Sequence, residues 1–305
     1  KYHRGLLYYT LAFEALSYFI ADDGVRLIYD FNKVGGKPAS GGDTYNAVEV
    51  VDDKIFFGGW VHAPAVYRGR DVGGSTIDFR NKYSHVHVYN TVENTVELIW
   101  KESIHDPEKW VGEISEIIYD PYSDKLLLAR ADGHVNLGVY ELDYRNGFIN
   151  KLLEHPGLKG SLHLDYACFA IHGYPHGFKG VECLDLIDRR KYVKFIDVKA
   201  IDKHEILHPH VGVVASAYGW LFTFIKGGVV LSDVTSDEHY VIRLFDIPYS
   251  QIGPMRTKGI YIGGGILVAY NMYSHSVIHV SSGDVRVKKS LNTIISPSIL
   301  LYITP

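Results

Sequence analysis

Cysteine is nearly absent from this 305-residue chain: only Cys168 and Cys183 occur. Laid onto the repeat units found along the chain, the two fall at different heights on strands of one sheet, too far apart to bridge. Free thiols are expected, and they suit a reducing, cytoplasmic setting. Glutamine is represented by Gln251 alone and there are two methionines, a scarcity of thermolabile side chains that fits an organism from a hot environment. No apolar run reaches the roughly 18 residues that a membrane-spanning helix needs, so no membrane partner is expected. A basic surplus is missing too: 31 Lys and Arg stand against 35 Asp and Glu. That balance excludes the electrostatic footprint of a phosphate-backbone binder, and no nucleic-acid partner is expected. CxxC, HExxH and EF-hand spacings are absent, as is a GxSxG elbow. The glycines of YIGGG at 261–265 lack the following helix that a phosphate-cradling loop requires, and read as packing glycines.

What is abundant is β-forming material. The chain is 47% hydrophobic, with 23 Tyr and 13 Phe, and its apolar runs are short and separated by polar turns. The unit is clearest over 113–154, where EISEIIYDPYSD, KLLLARADGH, NLGVYELDYRN and GFINKLLE read as four strands with a turn at each break. Aligning the turn between third and fourth strands gives Asn94, Gly147, Arg190, Asp237 and Gly283, at steps of 53, 43, 47 and 46 residues. A repeat of this period implies four-stranded sheets packed face to face around an axis. The expected fold is all-β: a six-bladed β-propeller of four-stranded antiparallel blades, in one domain spanning 1–305. Five units run from 44 to 293. The first residues, LLYYTLAFEALSYFIADDGVRLIYDF, and the last, SILLYITP, would share the sixth blade and close the ring. The stretch 62–83 breaks the period-2 pattern with Gly, Arg and Asp and reads as an insertion in the second blade; a strand pair hidden there would make seven blades. DPEKW at 106–110 could form one helical turn.

Innermost strands are expected to start near Asn46, Glu113, Leu162, Val211 and Gly259. Loops leading into them, and loops joining second to third strands, emerge on one face of such a ring. That face collects His62, His105, His134, His155, His163, His172, His176, His204, His208, His210 and His275. Asn46, Glu113, His163, His210 and Arg256 stand at equivalent places in five units and would converge on the axis. Asn46, Glu113, His163 and His210 form a donor set for a divalent metal at the channel mouth, whose bound water would be acidified. Arg256 would hold a substrate carboxylate in a bidentate fork, and His105 or His208 would serve as acid/base. The competing reading is a polar, water-lined channel whose residues satisfy one another. HPHV at 208–211 reads first as an exposed loop shaped by Pro209, and HGYPHG at 172–177 as a tight hairpin. His85 and His87 alternate along KYSHVHVYN, one face of an ordinary strand, and receive no chemistry. The aromatic residues Trp60, Trp110 and Trp220 read as blade packing ahead of ligand stacking.

The blade pattern resembles the six-bladed propeller superfamily, which includes metal-dependent sugar lactonases, pectate-fragment lyases and many binding modules. It is also similar to propeller proteins of hyperthermophilic archaea. The resemblance is architectural, and the WD, kelch, YWTD and Asp-box blade signatures are absent. It implies a divalent ion at the axis in an enzyme, with Glu113, Asn46, His163 and His210 in the ligand roles. Two function classes follow: a platform that binds a protein or small-molecule ligand on its His-rich face, or a metal-dependent lyase or hydrolase acting on a sugar acid or lactone. A subunit of a larger assembly, joined through 62–83, is a third.

Overall fold

The structure is a computed structural model. It describes residues 2–4, 6–11, 16–21, 24–30, 44–61, 66–67, 70–71, 82–104, 111–131, 135–155, 157–173, 177–188, 193–196, 213–217, 219–225, 228–236, 238–243, 258–263, 266–270, 275–281 and 284–289. The backbone groups into two compact units, Lys1–Gly157 and Leu158–Pro305. Among the described residues there is no helix, and therefore none long and apolar enough to cross a membrane.

The first unit holds three four-stranded antiparallel sheets. The first comprises β1 (Tyr2–His3), β2 (Leu6–Leu11), β3 (Leu16–Ala21) and β4 (Gly24–Asp30) in sequence order. The second comprises β5 (Thr44–Val51), β6 (Lys54–Val61), β9 (Lys82–Asn90) and β10 (Thr95–Ile104), with β6 pairing β9 directly. The chain between them makes a two-stranded ribbon of β7 (Val66–Tyr67) and β8 (Arg70–Asp71), so 62–81 is an excursion between the second and third strands. The third comprises β11 (Glu113–Asp120), β12 (Lys125–Ala131), β13 (Gly138–Asp143) and β14 (Phe148–Leu153).

The second unit repeats the plan. One sheet comprises β15 (Gly157–His163), β16 (Tyr166–Gly173), β17 (Gly177–Asp185) and β18 (Val193–Ile196). The next comprises β19 (Val213–Ala217), β20 (Trp220–Ile225), β21 (Gly228–Ser232) and β22 (His239–Arg243). The last comprises β23 (Lys258–Gly263), β24 (Ile266–Tyr270), β25 (His275–Ser281) and β26 (Asp284–Lys289).

The third sheet shows why these sequences fold this way. β12, KLLLARA, is buried at every position after its first, whereas β14, FINKLL, alternates exposed and covered residues. Continuous apolar runs thus fill the strands packed on both faces, and period-2 patterns fall on the outermost strand, which has one wet face. Phe56, Val86 and Trp100 of the second sheet interlock with Ile114, Ile117, Leu126 and Leu142 of the third. Burying a side chain such as Phe56, which is fully enclosed, contributes about 1.5–3 kcal/mol. Close approach there depends on Gly58, where a Cβ would stand 2.6 Å from Ile114 Cγ2.

The turn that sets the repeat has a common chemical cause. The third strand ends on, or for Asp233 is directly followed by, an Asx residue whose side-chain oxygen accepts backbone N–H groups of the turn: Asn90 from Val92 and Glu93, Asp143 from Arg145, Asp185 from Ile187 and Asp188, and Asp233 from Thr235. These are Asx turns, which a short polar side chain can close locally.

Three expectations need correction. First, Cys168 and Cys183 are not free thiols: they lie directly opposite on β16 and β17, with Cα atoms 3.9 Å apart, and form a buried disulfide. Second, the inner strand of that sheet starts at Gly157, not near Leu162. Its hairpin turns at Leu164 and Asp165, with Leu164 in the left-handed region at φ 51°, a conformation that leucine gives no sequence signal for. Moving that turn puts Cys168 on the second strand of the sheet, next to Cys183 on the third, and the resulting disulfide removes the thiol argument for a reducing compartment. Third, the first sheet draws all four strands from residues 2–30. It needs no strand from SILLYITP, which lies outside the described residues, as does DPEKW.

Candidate functional site

The expected metal donors are distributed as follows. Asn46 is the extra residue of a bulge in β5, between Tyr45 and Ala47, and Glu113 is the first residue of β11, in the same unit. The backbone before Glu113 is tied down: Ser84 Oγ donates to the Gly112 carbonyl at 2.7 Å, and Gly112 N–H to the Val135 carbonyl at 3.2 Å. Glu113 itself is buried. His163, in the other unit, is the last residue of β15 rather than the start of an inner strand, so it occupies the opposite end of its strand from that of Glu113. His105, His208, His210 and Arg256 lie outside the described residues. Among the described residues no three His, Cys, Asp or Glu side chains come together as a metal-binding group.

His163 is fully buried, with Nδ1 2.7 Å from Ser216 Oγ on β19. Burial pushes its pKa down to about 4, against a smaller upward pull from Asp233. The ring is neutral at pH 7, and a base so weak is poorly matched to proton transfer near neutrality. The contact couples two neighbouring sheets of the second unit.

A histidine pair without an assigned role proves to be the most buried titratable cluster described. On β9, His85 and His87 point to the same face, and their Nδ1 atoms are 2.7 Å apart. One ring must donate and the other accept, so the pair is neutral with complementary tautomers. Burial lowers the pKa of His87 to about 3, and burial together with His87 lowers that of His85 well below its usual value. This face of β9 also carries Tyr83 and Tyr89 and packs on Leu6 and Ile28 of the first sheet.

The opposite ends of the sheets hold the open surface. In the first unit, the β5–β6 turn, the β9–β10 turn and Tyr144 enclose a depression of about 300 Å³, lined by Val51, Asp52, Asp53, Lys54, Asn90, Val92, Glu93 and Tyr144. Thr91 N–H and Oγ donate to the Asp53 carbonyl at 2.9 and 3.0 Å, which locks the two turns together. Tyr144 is held by Phe56, 5.1 Å between ring centroids, and by its hydroxyl donating to Asp124 at 2.8 Å. Burial raises the pKa of Tyr144, with further contributions from Tyr119, Asp52 and Asp143. Lys54 Nζ stands 5.3 Å from its ring centroid.

The three most exposed large apolar residues described sit in, or directly after, the turn between third and fourth strands: Val92 at 74%, Phe148 at 69% and Ile187 at 62%. Hairpins between first and second strands add Tyr122 at 53% and Leu164 at 55%. Sequence reasoning missed these exposed side chains, although the signal was present: in YNTVENT, Val92 lies inside an Asx turn, where packing gives no reason for an apolar side chain.

Residues 7–305 match the family described as "Uncharacterized protein conserved in archaea (DUF2139)". The chain belongs to that family. No curated protein matches this DUF2139 chain. Among solved structures, one titled "Crystal Structure of Mitotic Checkpoint Complex" contains a chain 11% identical, with TM-score 0.59 over 96% of this chain and 75% of that one. Apo AztD from Citrobacter koseri is also 11% identical, with TM-score 0.51 over 95% of this chain and 72% of its own. Both are propeller-type folds, so the DUF2139 chain is all-β and propeller-like. At this identity the likeness concerns fold alone.

Proposed function

We propose that this chain is a binding platform whose six sheets close into a six-bladed propeller, and that its partner is a protein. The observation that carries the reading is the recurrence of an exposed apolar side chain in, or directly after, the turn between third and fourth strands, in Val92, Phe148 and Ile187. Scattered surface apolar residues need no explanation, but repetition at the same turn, in two sheets of the first unit and again in the second unit, supports selection of these side chains for contact. The likeness to a chain within a multiprotein complex agrees with this. The His-rich face remains part of the proposal as a second contact surface, its loops lying largely outside the described residues.

The test is affinity purification from an archaeal host that encodes the protein, comparing wild type with the triple variant Val92→Ser, Phe148→Ser, Ile187→Ser by quantitative mass spectrometry. Loss of a stoichiometric partner from a variant that keeps its melting temperature supports the platform; an unchanged partner set overturns it. The metal-dependent alternative, with Asn46, Glu113, His163 and His210 as ligands, Arg256 on substrate and His105 or His208 as acid/base, has less geometric support. Elemental analysis of the purified protein tests it.

A further inference from the structure

The turn between β13 and β14 needs a glycine directly after Asn146, and the pair that results is chemically labile. Gly147 has φ 75°, in the left-handed region, and a Cβ there would stand 3.2 Å from the Ile99 carbonyl oxygen of the second sheet. Asn146 is the one asparagine of the chain that precedes a glycine, and it is exposed to water. Asparagine is thermolabile, most of all before glycine, whose backbone nitrogen has no side chain to shield it. That nitrogen gives up its proton and bonds to the asparagine Cγ, the Cγ–Nδ2 bond breaks, and the departing nitrogen takes up a proton and leaves as ammonia. Water then opens the succinimide to aspartate or isoaspartate, and no other reactant is needed.

In the folded turn every group of that reaction is engaged, and Asp143, the last residue of β13, engages most of them. The nucleophile is occupied because Gly147 N–H donates to the Asp143 carbonyl at 2.8 Å. The leaving group is occupied because Asn146 Nδ2 donates to Asp143 Oδ2 at 2.9 Å. Asn146 Oδ1 accepts from Phe148 N–H at 2.8 Å, so the side-chain amide is held from both of its ends. Ring closure requires the Gly147 proton to be released and the amide to swing toward the backbone, and each movement breaks one of these bonds.

We propose that Asn146 and Gly147 form a site of spontaneous deamidation which Asp143 holds closed in the folded chain, so that conversion proceeds only through local opening of the β13–β14 turn. Once made, the change prevents the turn from closing as before. Aspartate at 146 lacks the Nδ2 donor and sets a second carboxylate against that of Asp143. Isoaspartate also lengthens the main chain by one carbon ahead of Gly147, which displaces Phe148 from its place opposite Asp143 and carries its exposed ring with it.

The experiment incubates the full chain below its melting transition and follows Asn146 by peptide mapping with mass spectrometry, beside a synthetic peptide of residues 143–149. Folded wild type should deamidate at least about tenfold more slowly than the peptide, as an opening free energy of ordinary size dictates. Asp143→Ala, compared at an equal distance below its own melting transition, should react about three- to tenfold faster than wild type, the effect of losing one or two hydrogen bonds. Asp143→Asn keeps one acceptor oxygen and should return the rate part of the way. A folded chain that deamidates as fast as the peptide overturns the proposal without recourse to any variant. So does an Asp143→Ala rate equal to that of wild type, an Asp143→Asn rate no lower than that of Asp143→Ala, or earlier conversion at another asparagine.

Discussion

Arg130 and Glu102 form an ion pair in which Arg130 Nη2 lies 2.8 Å from Glu102 Oε2, the arginine side chain 2% exposed and the glutamate 30%. The guanidinium is also stacked between aromatic rings, 5.2 Å from the Trp100 centroid and 4.9 Å from that of Tyr140, while its Nε finds no hydrogen-bond partner. Asn136 donates to the other oxygen of Glu102. The pair joins β10 of the second sheet to β12 of the third, through charge rather than shape alone.

Breaking one side of that pair should cost more than removing both. Glu102→Leu leaves a buried guanidinium without its counter-charge and is expected to destabilise by about 2–4 kcal/mol. The double variant Glu102→Leu, Arg130→Leu should lose less than the sum of the single changes, with a coupling of about 1–3 kcal/mol. Urea denaturation of the four proteins measures it; additive losses would remove the pair's role.

Stability should fall in mild acid because of buried neutral histidines. His87 and His163 have native pKa values lowered to about 3 and about 4 from an ordinary 6.5, and His85 is lowered as well. The unfolded chain therefore takes up protons below about pH 6.5 that the native chain refuses, and stability declines as pH falls from there toward the native values. Above that pH these groups contribute no slope. Urea midpoints between pH 8 and pH 4.5 should trace this curve, and His163→Gln should flatten it.

The disulfide should resist alkylation until it is reduced. Without reductant, denatured protein should take up no iodoacetamide; after reduction it should take up two equivalents. Cys168 and Cys183 are 15 residues apart, and opening a loop of that size costs about 3 kcal/mol in the chain-entropy model. Loss of stability on reduction, followed by denaturant melts, checks this. Cytosolic proteins of hyperthermophilic archaea also carry disulfides, so the bond does not assign a compartment.

Gly58→Ala should destabilise by about 1–3 kcal/mol, because its methyl group would stand 2.6 Å from Ile114 Cγ2 across the seam between the second and third sheets. Ile114→Ala removes that Cγ2 atom, so the Gly58→Ala, Ile114→Ala chain should lose less than the sum of the two single losses. Thermal melts of the four proteins decide it; an undisturbed Gly58→Ala would show that the two sheets separate freely.

Much of the strand pattern was legible because its causes are local. The turns after Asn90, Asp143, Asp185 and Asp233 are closed by hydrogen bonds within three residues of each Asx side chain. A chain can announce such turns wherever they fall, and their spacing revealed the repeat. The turn at Leu164 was not legible, since its left-handed leucine is imposed by pairing of β15 with its neighbour. Missing it displaced His163 to the wrong end of its strand and separated two cysteines that are cross-strand partners.

Composition and turn chemistry by themselves determined an all-β chain of repeated four-stranded sheets, because period-2 patterning and Asx turns act over a few residues. Only the tertiary structure decided which side chains became interior partners and which stayed exposed. His85 meets His87 inside the first unit, His163 meets Ser216 in the second, and Val92 is left in water. Those outcomes depend on register and sheet packing, where a displacement of one residue exchanges the two faces of a strand.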